Sequence, residues 1–206
     1  MIKGTPELIA ERREEIMNAC ETLYETMPFR EVTLKEIGNI TTCSRPSIYN
    51  YFQTKEEIFL ALFEREYVLW TEELLHIGDK ASGMSKEMLA ESIAESLEKR
   101  KLLLKLLAVN LYDMEENSRL ECLVSFKVAY GNSRDALFAL LRSVYPHLSE
   151  NRITDIVFTF LPYLHGVYPY AFATEKQIAA MDEAKIKHPS FTIHELVKTG
   201  LLKLLP

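Results

Sequence analysis

The sequence predicts an all-α protein, with an N-terminal three-helix head that contains a helix-turn-helix and a larger C-terminal helical body. Three observations predict it. Apolar residues recur at intervals of three and four along most of the chain, the period of an amphipathic helix. Only 7 Gly and 8 Pro punctuate 206 residues, while Leu, Glu, Lys, Ala and Ile recur throughout, the composition of helices joined by short connections. There is no run of alternating apolar and polar residues, no internal repeat and no low-complexity tract.

The first helix is expected over residues 6–27, where Leu8, Ile9, Ile16, Met17, Ala19, Cys20, Leu23 and Tyr24 form one stripe and Pro28 ends it. Thr33, with Glu36 three residues on, has the pattern of a capping box and opens a second helix. That helix is short, because residues 41–44 (Thr, Thr, Cys, Ser) interrupt it. Ser44 can cap a third helix that has Pro46 in its first turn and runs through Ile48, Tyr49, Tyr51 and Phe52. Thr54 with Glu57 repeats the capping-box pattern and opens a long fourth helix carrying Ile58, Phe59, Leu62, Phe63, Tyr67, Trp70 and Leu74. Helical periodicity then recurs over 85–99, 100–113, 118–145, 149–173 and 191–204, and more weakly over 174–188. Pro162 and Pro169 should kink or break the helix over 149–173. Two domains follow: a head over 1–55 and a body over 56–206.

Residues 1–13 lack the apolar core of a secretory signal, and the greasiest stretch, 102–111, is broken by Lys105 and Asn110 and too short to span a bilayer. Cys20, Cys43 and Cys122 show no ligand spacing and cannot all pair within one chain, which fits a reducing cytoplasm. The formal net charge of -6 speaks against a phosphate-binding surface. Locally the balance differs: over 35–55, Lys35, Arg45 and Lys55 face Glu36 alone. His76, His147, His165, His188 and His194 form no short ligand pattern, so no metal, cofactor or catalytic residue is expected.

The chemistry concentrates at residues 32–38 and 44–55. Two short helices joined by a tight turn make a helix-turn-helix, whose second helix enters the major groove. Ile48 and Phe52, four apart, should face the core, leaving Arg45, Pro46, Ser47, Tyr49, Asn50 and Tyr51 outward or sideways. Ser44, Ser47, Ile48, Tyr49 and Phe52, leading into Lys55, Glu56 and Glu57, resemble the DNA-binding signature of the TetR family of transcriptional regulators, over roughly residues 9–63. Departures are Thr42 and Cys43 before Ser44, where the family commonly carries Ala-Gly-Val, Gly38 where Ala is usual, and Leu34 where a polar residue is frequent.

The resemblance implies that Thr33 and Lys35 contact phosphates and base edges, and that Ser44 begins the reading helix. It further implies that Arg45, Pro46 and Ser47 reach base edges and that Tyr49, Tyr51 and Lys55 bond phosphates. These side chains suit those roles, and Asn50 can pair with adenine if it faces the groove. The implied activity is that of a repressor released from a palindromic operator by a small molecule. The partners are double-stranded operator DNA, a second copy of the chain and an apolar or aromatic effector.

An effector pocket in a helical body should be mostly apolar with a few polar groups. Candidates are Tyr67, Trp70, Met88, Leu104, Leu107, Phe126, Tyr130, Phe158, Tyr163 and His165, with ordinary core packing as the competing reading for each. The resemblance implies that the last helix, carrying Ile193, Leu196, Val197, Gly200, Leu201 and Leu204, pairs with the helix of Ile153 across a two-fold axis; a stripe packed inside one chain is the alternative. Cys43 reads as an ordinary thiol, with a redox switch as the alternative. Two other functions remain open: a helical enzyme, or an interaction module that keeps the fold without binding an operator.

Overall fold

The computed structural model describes residues 5–109 and 111–206, so Asn110 and the first four residues lie outside it. Eleven helices follow one another among the described residues: α1 (Pro6–Thr26), α2 (Leu34–Ile40), α3 (Arg45–Ile48), α4 (Lys55–Gly78), α5 (Lys86–Lys99), α6 (Lys101–Leu107), α7 (Leu111–Glu116), α8 (Leu120–Val144), α9 (Glu150–Ala171), α10 (Glu175–Glu183) and α11 (Ile193–Leu204). The all-α class is as expected. The chain forms two compact units. The first runs to Arg65 and includes Val109–Ala129; the second comprises Glu66–Ala108 and Tyr130–Pro206.

In the first unit, α1 packs on α2 and α2 on α3. Ile16, Cys20, Ile37, Ile48, Phe52 and Ile58 are all withdrawn from water, so the stripes read from the sequence become the core. Phe59 anchors it, taking Tyr24 and Phe29 edge-on at 5.0 and 4.7 Å between centroids. In the second unit, α11 packs on α5 and α9, and α6 on α9.

Caps differ from the sequence reading in detail. Thr33 and Thr54 do accept the N–H groups of Glu36 and Glu57. The Glu57 carboxylate, however, takes the N–H of Gln53 instead of closing a box on Thr54. Boxes with both bonds form at Thr174 with Gln177 and at Thr192 with Glu195. Ser44 sits at an extended N-cap position without a side-chain cap bond, and α3 ends at Ile48, so neither the expected cap nor the expected length is observed. The chain still turns on through bonds from Tyr51 N and Phe52 N to Ile48 O, which bring Phe52 into the core.

The helix expected over 100–113 is two helices. A non-helical Arg100 (φ -100°, ψ 44°) separates α5 from α6, and α6 is capped at Ala108 before α7 begins. The expected break in α9 is absent: it runs unbroken through Pro162 and Pro169. The carbonyls left without an N–H belong to Phe158 and His165, both exposed residues, where solvent can stand in for a missing bond. α10 buries none of its residues.

Candidate nucleic-acid interface and ligand cavity

The head presents a short exposed segment on a buried foundation. Ile48 is fully buried, while Ser44, Arg45, Pro46, Tyr49 and Asn50 are exposed and Ser47 is half-buried. The Arg45 Nη2 donates to the Tyr49 hydroxyl oxygen at 3.4 Å, one helical turn on. The arginine's remaining donors and the tyrosine's O–H stay free for an acceptor in solution. Thr33 and Lys35 are exposed at the start of α2.

Two of the residues expected at phosphates are held by partners within the chain. Tyr51 is only 9% exposed, and its carbonyl accepts from Arg13 Nη1 at 3.3 Å. Most of this residue is withdrawn from water, more so than the outward or sideways placement expected of it. The Lys55 ammonium donates to the carbonyl oxygens of Phe29 (2.8 Å) and Arg30 (3.3 Å) and sits 4.5 Å from the Phe29 ring centroid. It ties down the loop between α1 and α2 instead of standing free.

Sequence reasoning missed what holds the turn. Glu15, on α1, accepts the N–H of Thr42, and Cys43 Sγ lies 3.8 Å from its other carboxylate oxygen. Arg12 completes the cluster, donating to Glu15 at 2.7 Å and to the Thr42 hydroxyl. Hydrogen bonds from the Thr42 side chain and N–H, joined by Arg12, lower the Glu15 carboxyl to about 2. Arg13 lies 4.4 Å over the Phe52 ring. A charged, one-turn clamp by α1 therefore stands where the resemblance would place an apolar turn. Burial, with the Glu15 charge, pushes the Cys43 thiol up, the opposite of an activated cysteine.

A second clamp lies at the start of α4. The Glu57 carboxylate, 1% exposed as a residue, accepts from Arg119 Nε (2.7 Å), Arg119 Nη2 (2.9 Å), Arg119 N (3.2 Å) and Gln53 N (2.8 Å). Burial alone would raise its pKa, but these donors and the arginine's charge outweigh burial and hold it below the ordinary value. The sequence carried no signal pairing positions 57 and 119.

In the second unit a cavity of about 220 Å³ opens beside α9. Tyr67, Leu107, Tyr130, Phe158 and His165, all expected from the sequence, line it, together with Leu103, Leu161, Pro162 and Leu164, which were not. Tyr67 and Tyr130 meet edge-on at 5.6 Å and 74°. The His165 Nδ1 lies 2.9 Å from the Leu107 carbonyl oxygen.

The other expected lining residues are elsewhere. Trp70 is buried and donates to Ser96 Oγ at 3.2 Å, Leu104 is core, and Met88 is 55% exposed. Phe126 belongs to the first unit, 5.3 Å from Phe63. Tyr163 donates its O–H to Leu196 O at 2.8 Å.

Part of the expected interface stripe packs within the chain, the alternative named above. Ile153, Ile193, Val197 and Leu201 are buried within the protomer, and Leu196, Gly200 and Leu204 are half-buried, because α5 and α9 of the same chain cover α11. What α9 leaves outward is a different face, carrying Phe158, Pro162, Pro169 and Tyr170.

Among the described residues no helix is long and apolar enough to cross a membrane. Residues 16–62 match the family model for bacterial regulatory proteins of the tetR family, and residues 64–205 match that for the tetracyclin repressor-like C-terminal domain. No curated protein matches the chain. Among solved structures, that of Thermus thermophilus FadR, a TetR family transcriptional repressor in complex with lauroyl-CoA, is similar. It is 20% identical, covers 94% of this chain and 93% of its own, and superposes with a TM-score of 0.58, a likeness of fold. With its head matched by one family model and most of the remaining chain by the other, this chain belongs to the TetR family of bacterial transcriptional regulators.

Proposed function

We propose that the chain is a transcriptional repressor that grips a palindromic operator as a homodimer and lets go when a small molecule occupies the cavity beside α9. The observation that carries the reading is the pairing of Arg45 with Tyr49 on the exposed side of α3, over a fully buried Ile48. An arginine so placed can bond guanine in two places, and a tyrosine O–H suits a phosphate. Thr33, Lys35, Ser44, Pro46, Ser47 and Asn50 complete the reading set. Tyr51 and Lys55 support it from behind.

A palindromic site requires two heads, and the exposed end of α9 that lies outside the cavity, with Pro169 and Tyr170, is the surface we assign to the second copy. The signal passes along α4, which is continuous from Glu57 at the head clamp to Tyr67 at the cavity. Occupancy that favours a mis-spaced pair of heads lowers operator affinity by the coupling energy, about 1 to 3 kcal/mol. We read the protein as cytoplasmic and without a catalytic step. The lauroyl-CoA of the Thermus relative is not carried over, because no Lys or Arg lines this cavity to meet its phosphates.

Selection of bound sequences from a random DNA library by the purified protein tests the reading. Enrichment of a palindrome supports it. Enrichment of nothing, in the presence or absence of cavity ligands, overturns it in favour of an interaction module.

A further inference from the structure

We infer that the cavity beside α9 takes an uncharged, single-ring aromatic compound carrying one hydroxyl donor, a ligand the size of a methylphenol. The inference rests on the effector reading above and specifies its ligand.

Size sets the first limit. An apolar cavity of about 150 Å³ holds benzene, whereas drug-sized ligands occupy roughly 300 to 1,000 Å³. At about 220 Å³ this cavity has room for one ring with a short substituent, and a fused polycycle or a long acyl chain would project past the exposed Phe158, Pro162 and His165 into water. Charge sets the second. No Lys, Arg, Asp or Glu is in the lining, so an ion in the cavity would give up part of its hydration without a counter-charge.

The histidine sets the third. The Leu107 carbonyl, 2.9 Å from His165 Nδ1, can only accept, so Nδ1 carries the hydrogen. In the neutral ring Nε2 is then an acceptor, and a ligand that satisfies it must donate. The Tyr130 and Phe158 rings offer aromatic walls against which a ligand ring packs edge-on or offset.

The test is calorimetric titration of the full-length protein with 4-methylphenol, toluene, benzoate and dodecanoate, repeated on His165→Phe, which keeps a ring but removes the acceptor. His165 is exposed, its Nδ1 bond to the Leu107 carbonyl is lost in the variant, and a thermal melt checks that the variant is folded. The inference predicts that 4-methylphenol binds about tenfold or more tighter than each of the other three, and that His165→Phe reduces it to the affinity of toluene. Tighter binding of benzoate or dodecanoate overturns it, as does no detectable binding of 4-methylphenol, or a preference over toluene that survives in His165→Phe. Operator affinity is measured in parallel. Binding as predicted with operator affinity unchanged upholds the ligand class and overturns the effector role. Operator release by dodecanoate but not by 4-methylphenol upholds the regulator and overturns the ligand class.

Discussion

Glu57 and Arg119 stand 62 residues apart in sequence and share a two-point ion pair, with the carboxylate fully withdrawn from water and its remaining capacity filled by the N–H groups of Gln53 and Arg119. A buried charge so completely satisfied is costly to orphan. Because the guanidinium itself is partly exposed, we expect Arg119→Ala to cost about 2 to 3 kcal/mol, toward the low end for a broken buried pair. Glu57→Gln, which removes the charge but keeps an acceptor, should cost less. Urea unfolding of both variants checks the order.

Two carboxylates tie head stability to acid. The folded-state pKa of Glu15 is depressed to about 2 by Thr42 and Arg12, and that of Glu57 is depressed by its donors against the opposing effect of burial. A depressed carboxylate contributes stability above its unfolded pKa, near 4.5, and loses it as pH falls through the folded value. The head should therefore weaken progressively between about pH 4.5 and pH 2. Removing the clamp with Glu15→Gln should flatten that dependence. Carboxyl NMR titration reads Glu15 directly, and a Glu15 midpoint near 4.5 would contradict the clamp.

Two glycine replacements should act in opposite directions. At Gly38, within α2, an added Cβ would meet Arg45 N at 3.5 Å and Ile48 Cδ1 at 3.6 Å, which is ordinary contact. Gly38→Ala should therefore stabilise by about 0.5 to 1 kcal/mol through the helix interior. At Gly200 the same atom would lie 2.9 Å from Tyr163 Cε1, in a ring pinned by its bond to Leu196 O. Gly200→Ala should cost about 1 to 3 kcal/mol. Thermal melts of the two variants should shift in opposite senses.

The fold was legible because helix period, caps and punctuation agree over long stretches, and the head was legible because Ile48 and Phe52 sit where the core needs them. What escaped is three-dimensional. The break between α6 and α7 has no Gly or Pro to mark it. The stripe of Val197 and Leu201 reads equally as an interface or as core, and only the packing of α5 and α9 decides. Half of the expected cavity residues line it, since aromatic spacing places Tyr67 and Tyr130 on helices without saying that Trp70 turns to Ser96. The clamps of Glu15 and Glu57 depend on partners 27 to 62 residues away.

The helix α10 should be the first part of the chain to open. It has nine residues and none is buried, although an isolated helix needs roughly 12 to 15 residues to persist. Its complete capping box opposes fraying but adds no burial. Limited proteolysis should cut first between Thr174 and Thr192 and leave the rest intact. First cuts inside α4 or α9 would contradict this.

The most direct test of the central claim is operator affinity of Arg45→Ala compared with Tyr51→Phe, each measured at two salt concentrations on the DNA that the wild-type protein selects. Arg45→Ala should lose about 1 to 3 kcal/mol of binding and relax the preference at one base pair of each half-site, while Tyr51→Phe, a buried position, should bind nearly as wild type. Wild-type affinity in Arg45→Ala, with the same sequence preference, would contradict the assignment of α3 as the reading helix.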